Sequence, residues 1–159
     1  MTVRFAPPHI AVLLVHWNRP AETVACVRSL QATGHRGLHI TIVDNASEPA
    51  AVAELAAALP DVRLVRSPAN LGYGGGFNLA VRTVLAPGEP RPDYLWLLNN
   101  DTLVEPDCPL QLVAASERLG PAVLSPKILM ADDPARLWYA GGWMDRWLRS
   151  HHVGKDEPD

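Results

Sequence analysis

Ile10-Ala11-Val12-Leu13-Leu14-Val15-His16-Trp17-Asn18-Arg19-Pro20 carries the pattern on which the fold turns. Residues 10–15 form an unbroken apolar run, as expected for a strand covered on both faces. The run stops at Asn18-Arg19. Pro20 suits the first turn of a helix, where its missing N–H would have no partner anyway. Val24, Val27 and Leu30 then recur at helical spacing, and Gly34 offers a stop.

The same order of strand, polar loop and helix repeats along the chain. Residues 39–43 predict a second strand, and the Ala-rich residues 47–59 a helix ended by Pro60. Residues 62–65 predict a third strand. Phe77, Ala80, Val81 and Val84 mark one face of a third helix that ends near Pro87-Gly88. Residues 94–98 read as a buried apolar strand, Leu110, Val113 and Ala114 as the start of a fourth helix, and residues 122–124 as a fifth strand. Such alternation predicts an α/β fold, a mostly parallel sheet sandwiched by helices through right-handed crossovers. No linker interrupts it, so residues 1–154 read as one domain and residues 155–159 as a polar tail.

Composition narrows the function classes. A length of 159 residues fits one domain, and 48% hydrophobic with 19% charged residues fits a folded protein. The net charge of −3 offers no basic field, so no nucleic-acid partner is expected. Cys26 and Cys108 are isolated in sequence and make no disulfide framework, which favours a reducing, cytoplasmic location. The run at residues 10–15 is far too short to span a bilayer, and residues 1–8 lack a signal-peptide core. Peripheral membrane contact stays compatible with this composition.

In an open parallel sheet, ligands bind beyond the carboxyl ends of the strands. Those ends carry Trp17-Asn18-Arg19, Asp44-Asn45-Ala46-Ser47, Asn70-Leu71-Gly72 and Leu97-Leu98-Asn99-Asn100-Asp101. Trp17 can offer an aromatic platform, and Asp44 an acceptor for a base N–H. Gly72-Tyr73-Gly74-Gly75-Gly76 opens a helix whose free amides suit a phosphate. Asp101 can hold Mg²⁺ or Mn²⁺, which take oxygen ligands from few carboxylates plus substrate phosphates. Structural readings compete at each place: Asp44-Asn45 as a helix cap, the glycines as turn or packing residues, Trp17 as a core anchor, Asn99-Asn100 as a turn. A dinucleotide fingerprint should follow the first strand, whereas Gly72-x-Gly74 follows the third; the Gly-Lys-Ser/Thr of a P-loop is absent.

Taken in order, Val12 to Pro20, Val43 to Ser47, Asn70 to Asn78 and Leu97 to Thr102 resemble the successive signatures of family 2 glycosyltransferases, most of all their rhamnosyltransferase-like branch. The resemblance runs from Ala11 to Gly154. It implies the Rossmann-like GT-A fold and inverting transfer of a sugar from a nucleoside-diphosphate sugar, UDP- or dTDP-linked, to a saccharide or other hydroxyl acceptor. It implies that Trp17 contacts or stacks on the base and Asp44 binds the uracil or thymine edge, with Asn18 and Asn45 also at the nucleotide. Asn70 and Gly72 would lie beneath the nucleotide, and Asn100 and Asp101 at the metal signature. Asp101 matches the metal carboxylate there, and Asn100 stands where that signature has another carboxylate.

Family members continue further, with an acidic pair that supplies the catalytic base and with much of the acceptor site. The expectation is therefore a nucleotide-binding part, incomplete at its C-terminal acceptor half, with no catalytic residue assigned. Asp132-Asp133-Pro134 reads as a surface turn, Asp145 as a solvated carboxylate and His151-His152 as exposed. The alternative is a non-catalytic nucleotide-binding or interaction module. Trp138, Trp143 and Trp147 would then mark a surface for a homo-oligomer or a complementary second chain.

Overall fold

The computed structural model describes residues 6–159. Residues 1–5, part of the stretch lacking a signal-peptide core, lie outside the described residues. The chain forms two compact units, one ending at Pro106 and one spanning Asp107–Asp159.

The first unit contains β1 (Ile10–His16), α1 (Pro20–Ala32), β2 (Leu38–Asp44), α2 (Pro49–Ala58), β3 (Arg63–Arg66), α3 (Gly72–Val84) and β4 (Tyr94–Leu97). Its strands make one parallel sheet in the order β3-β2-β1-β4. β1 is interior, which accounts for its continuous apolar run. The chain steps outward from β1 to β3, then returns to β4 on the other side of β1. Right-handed crossovers therefore put α1 and α2 on one face and α3 on the other. Side chains alternate accordingly. Ala11 and Leu13 cluster with Val43 and with Phe77, Ala80 and Val84 of α3. Val12 and Leu14 point the other way and are fully buried, as are Cys26, Val27 and Leu30 of α1 and Leu55 of α2.

Two expectations need correction. β4 is an edge strand, and Leu95 and Leu97 are 40% and 52% exposed, so this strand is not buried on both faces. The strand expected at residues 122–124 does not form. Pro121 and Pro126 flank that short run and remove amide donors that a ladder would need.

The second unit begins with α4 (Cys108–Leu119), closed by Gly120 at φ 77°. Two small antiparallel pairs follow: β5 (Ile128–Leu129) with β6 (Leu137–Tyr139), and β7 (Gly142–Met144) with β8 (Ser150–His152). Residues 155–159 fold back on β6, with the Asp159 amide donating to Ala135 O at 2.9 Å and Lys127 pairing with the Asp159 carboxylate. Among the described residues no helix is long and apolar enough to cross a membrane.

Candidate functional site

The strand order reverses between β1 and β4, with α1 and α3 covering opposite faces of the sheet, a switch point at which open α/β sheets leave a crevice. A cleft of about 520 Å³ lies there. Trp17, Arg19 and Glu22 line it after β1, Asn45 after β2, Asn70, Gly72 and Tyr73 at the start of α3, and Asn99, Asn100 and Asp101 after β4. A smaller cavity of about 400 Å³, with Leu38 and Val62 in its wall, sits at the opposite edge, where the strands begin.

Of the residues singled out in the sequence, Trp17, Asn45, Asn70, Gly72, Asn100 and Asp101 share this cleft, and Asn18 and Asp44 do not line it. Trp17 is 55% exposed, so its ring is not a core anchor. Asn18 turns the chain at φ 55°, a conformation asparagine tolerates better than most residues. Its Oδ1 accepts from the Glu48 amide at 2.8 Å, and its own amide donates to Ser47 Oγ at 3.0 Å. Asn18 thus fastens the loop after β1 to the loop after β2.

Asp44 is fully buried. Its Oδ1 accepts from the Ser47 amide at 3.2 Å, while Oδ2 has no hydrogen-bond partner and lies 3.4 Å from Arg66 Nε. Arg66 also donates to Ser47 O at 3.1 Å. Glu48, not Asp44, occupies the N-cap of α2, so the carboxylate shapes the turn before that helix rather than capping it.

Asn45 and Asn70 build the floor. Asn45 Nδ2 donates to Asn70 Oδ1 at 3.0 Å and to Gly72 O at 3.2 Å, and Asn45 Oδ1 accepts from the Leu71 amide at 2.8 Å. Asn70 Oδ1 also accepts from the Gly72 amide at 2.9 Å. Gly72 turns at φ +68°, where a side chain would be strained. A Cβ on Gly76 would lie 2.8 Å from Val15 Cγ1, so this glycine lets α3 sit directly on β1. The amides of Tyr73 and Gly74 fall in the first turn, where a helix has no internal acceptor for them.

The loop after β4 is held from three sides. Thr102 Oγ1 donates to Asn99 O at 2.6 Å, and Cys26 Sγ to the same oxygen at 3.6 Å. Burial pushes the Cys26 thiol up to about 12, so it stays protonated. Tyr73 Oη donates to Asn99 Oδ1 at 2.6 Å across the cleft. Desolvation and then the Asp101 charge raise the Tyr73 phenol above its ordinary value. Asn100 Nδ2 donates to the buried Thr23 Oγ1 at 2.9 Å, which lies 2.8 Å from His16 Nδ1. Burial lowers the His16 pKa, and the Asp44 charge opposes that shift without reversing it.

Sequence reasoning missed Thr23, His16 and Tyr73. The available signal for Thr23 was a hydroxyl on the stripe that also carries Val27 and Leu30, since a polar residue on a buried face requires a partner.

Among the described residues no group of three or more His, Cys, Asp or Glu side chains could hold a metal ion alone. Asp101 and Asn100 nevertheless present oxygen donors in the cleft, the kind that Mg²⁺ and Mn²⁺ accept when phosphate oxygens complete the shell. In the second unit, Asp145 accepts from the amides of Trp147 and Arg149 and from Arg149 Nε at 2.8 to 3.0 Å. These bonds, the Arg149 amide first, hold its pKa below the ordinary carboxylate value and make it a poor base. Asp133 Oδ1 accepts from the Ala135 amide in a turn, and His151 stacks on Trp143 with ring centroids 4.1 Å apart.

The fold has counterparts in known proteins. The chain is 34% identical over 130 residues to galactofuranosyltransferase GlfT1 of Mycobacterium tuberculosis, in strains CDC 1551 / Oshkosh and ATCC 25618 / H37Rv alike. That match covers 80% of this chain and 41% of the relative, so the chain spans well under half the relative's length. Mannosyltransferase PcManGT from Pyrobaculum calidifontis, in complex with GDP-Man and Mn²⁺, is similar with a TM-score of 0.55 at 21% identity, over 74% of this chain and 34% of that one. S. aureus TarS 1-349 in complex with UDP also gives 0.55, at 13% identity over 69% and 32% of the two chains. Both support the GT-A type of α/β fold. The sequence model of "Glycosyl transferase family 2" matches residues 11–157. This chain belongs to glycosyltransferase family 2.

Proposed function

We propose that this chain carries the donor site of an inverting glycosyltransferase. It binds a UDP- or dTDP-linked sugar together with Mg²⁺ or Mn²⁺, for transfer to a hydroxyl of a saccharide or other acceptor. The observation that carries this reading is the convergence of Trp17, Asn70, Gly72, Asn100 and Asp101 on one cleft at the sheet's switch point. PcManGT was obtained with GDP-Man and Mn²⁺ and TarS with UDP, which supports the ligand class. The rhamnosyl assignment rests on motif resemblance alone; the sugars named for the relatives above are galactofuranose and mannose. Two cysteines outside any disulfide framework support a cytosolic setting.

In this reading Trp17 packs against the base, and Asp44 Oδ2, ion-paired with Arg66 but without a hydrogen bond, accepts from a base N–H once Arg66 swings aside. The first-turn amides of α3 face the diphosphate. Asp101, with Asn100 beside it, would hold the cation, which supplies charge stabilisation for the leaving diphosphate. An acceptor oxygen attacks the anomeric carbon, the bond to the diphosphate breaks on the opposite side, and the hydroxyl proton passes to a general base. None of the carboxylates discussed above is assigned that role.

Calorimetry with UDP and dTDP in Mn²⁺ tests the proposal. Wild type should release heat of binding, and Asp101→Ala should lose the metal-dependent part. A folded sample that takes up neither nucleotide at millimolar concentration rejects it. Release of nucleoside diphosphate that depends on added acceptor separates an enzyme from a non-catalytic module.

A further inference from the structure

Thr23 is a fully buried threonine whose hydroxyl meets three polar groups from different parts of the first unit. Asn100 Nδ2 lies 2.9 Å away, His16 Nδ1 2.8 Å and Arg19 O 3.3 Å. A hydroxyl has one proton and two lone pairs. Arg19 O can only accept, so it takes the hydroxyl proton. Both remaining partners must then donate: the imidazole through Nδ1–H and the amide through Nδ2–H. This is the one assignment that satisfies all three contacts. It leaves His16 as the Nδ1–H tautomer, with Nε2 buried and unprotonated. It also fixes the orientation of the Asn100 side chain. With Nδ2 committed to Thr23, the amide presents Oδ1, not NH₂, beside Asp101.

We propose that Thr23 is a positioning residue that locks the Asn100 amide with its oxygen toward the cleft. An amide can flip, whereas a carboxylate has oxygen on both sides. An asparagine next to Asp101 therefore needs a lock if it is to offer oxygen to a cation or to a ribose hydroxyl. The turned amide would point N–H₂ at the cation and oppose it. The value of this lock for ligand binding rests on the donor-site reading above; the orientation itself does not.

A double-mutant cycle tests the proposal. In the wild-type background, Thr23→Val should weaken Mn²⁺-dependent UDP binding by about tenfold, the scale of one hydrogen bond, and Thr23→Ser should restore it. In the Asn100→Asp background, Thr23→Val should bring no further loss, because the carboxylate cannot be misoriented. Equal losses in both backgrounds, with unchanged thermal midpoints, would overturn the lock. The orientation is read without any ligand by NMR of the Asn side-chain amides in the wild-type chain. One Asn100 amide proton should exchange far more slowly than those of exposed Asn78. Solvent-rate exchange of both protons overturns the proposal even where Thr23→Val fails to fold. A wild-type chain with a protected amide that binds neither UDP nor dTDP with Mn²⁺ supports the lock and rejects the donor-site reading instead.

Discussion

Asn45 Nδ2 donates to Asn70 Oδ1 at 3.0 Å and so joins the end of β2 to the turn that starts α3. Asn45 is 3% exposed and its amide spends both ends on this turn, taking the Leu71 amide and serving Gly72 O. Residues that resemblance places beneath a nucleotide thus form the frame that holds the cleft's floor. Asn45→Ala removes these bonds and leaves the Leu71 amide without its acceptor. A loss of about 2–3 kcal/mol is expected from urea unfolding, since each orphaned group costs on the order of 1–3 kcal/mol. A loss below about 0.5 kcal/mol, the scale of an ordinary surface change, would show that the network carries no stability.

Gly74 and Gly76 separate conformational from steric roles within one helix turn. A Cβ at Gly76 would press on Val15 Cγ1 and Cγ2 at 2.8 and 2.9 Å, whereas at Gly74 it would meet nothing within 4 Å. Gly76→Ala should destabilise by about 1–3 kcal/mol through overpacking. Gly74→Ala should stabilise by up to about 1 kcal/mol through helix propensity. Thermal melts of the two variants should move in opposite directions; a shift of the same sign contradicts the close approach of α3 to β1.

Stability should fall on mild acidification. Burial lowers the pKa of His16; partial desolvation lowers that of the more exposed His39, and the neighbouring His9, whose ring centroid is 4.2 Å from that of His39, lowers the latter further. A lowered folded-state pKa means that the unfolded chain binds more protons, so stability rises with pH in this window. The contribution is fully present above the ordinary imidazole value of 6.5, and it is lost as pH falls below that value toward the folded-state pKa. Melting temperature should drop between pH 7.5 and pH 5, a window of about one to one and a half units either side of the histidine value. A flat profile in wild type counts against the burial of the His16 ring in its neutral form.

Trp17 offers an optical report on the cleft. Its ring is exposed, and it lines the cleft together with Arg19 and Asn100. Nucleotide binding should quench its fluorescence, and Trp17→Ala should remove that quench and weaken UDP binding by about tenfold, the lower part of the range for base–aromatic stacking. Quenching that survives the substitution assigns the signal to another tryptophan.

Much of the first unit was legible because each element's burial is written in its own periodicity. The unbroken run of β1 announces an interior strand, and Pro20 marks the start of α1; the second helix, expected from residue 47, starts two residues later at Pro49. The error at β4 has the same source. Tyr94-Leu95-Trp96-Leu97 is as apolar as β1, but composition does not reveal whether both faces are covered, and here one is not. At residues 122–124 the run is too short for propensity to outweigh the flanking prolines.

The cleft divides in the same way. Strand ends bearing Trp17, Asn70 and Asp101 could be aligned from the order of elements alone, because a parallel sheet brings every strand's carboxyl end to one edge. Which polar groups face the cleft and which brace it depended on partners remote in sequence. Asn100 meets Thr23 across 77 residues, and Asn18 meets Glu48 across 30. Apolar patterning is a property that a segment carries with it, so sequence alone settled the elements of the first unit and their order. Hydrogen bonds are directional and need a particular neighbour, so only the packed sheet decided that Asn18, Asn45 and Thr23 hold the site while Trp17 and Asp101 open onto it.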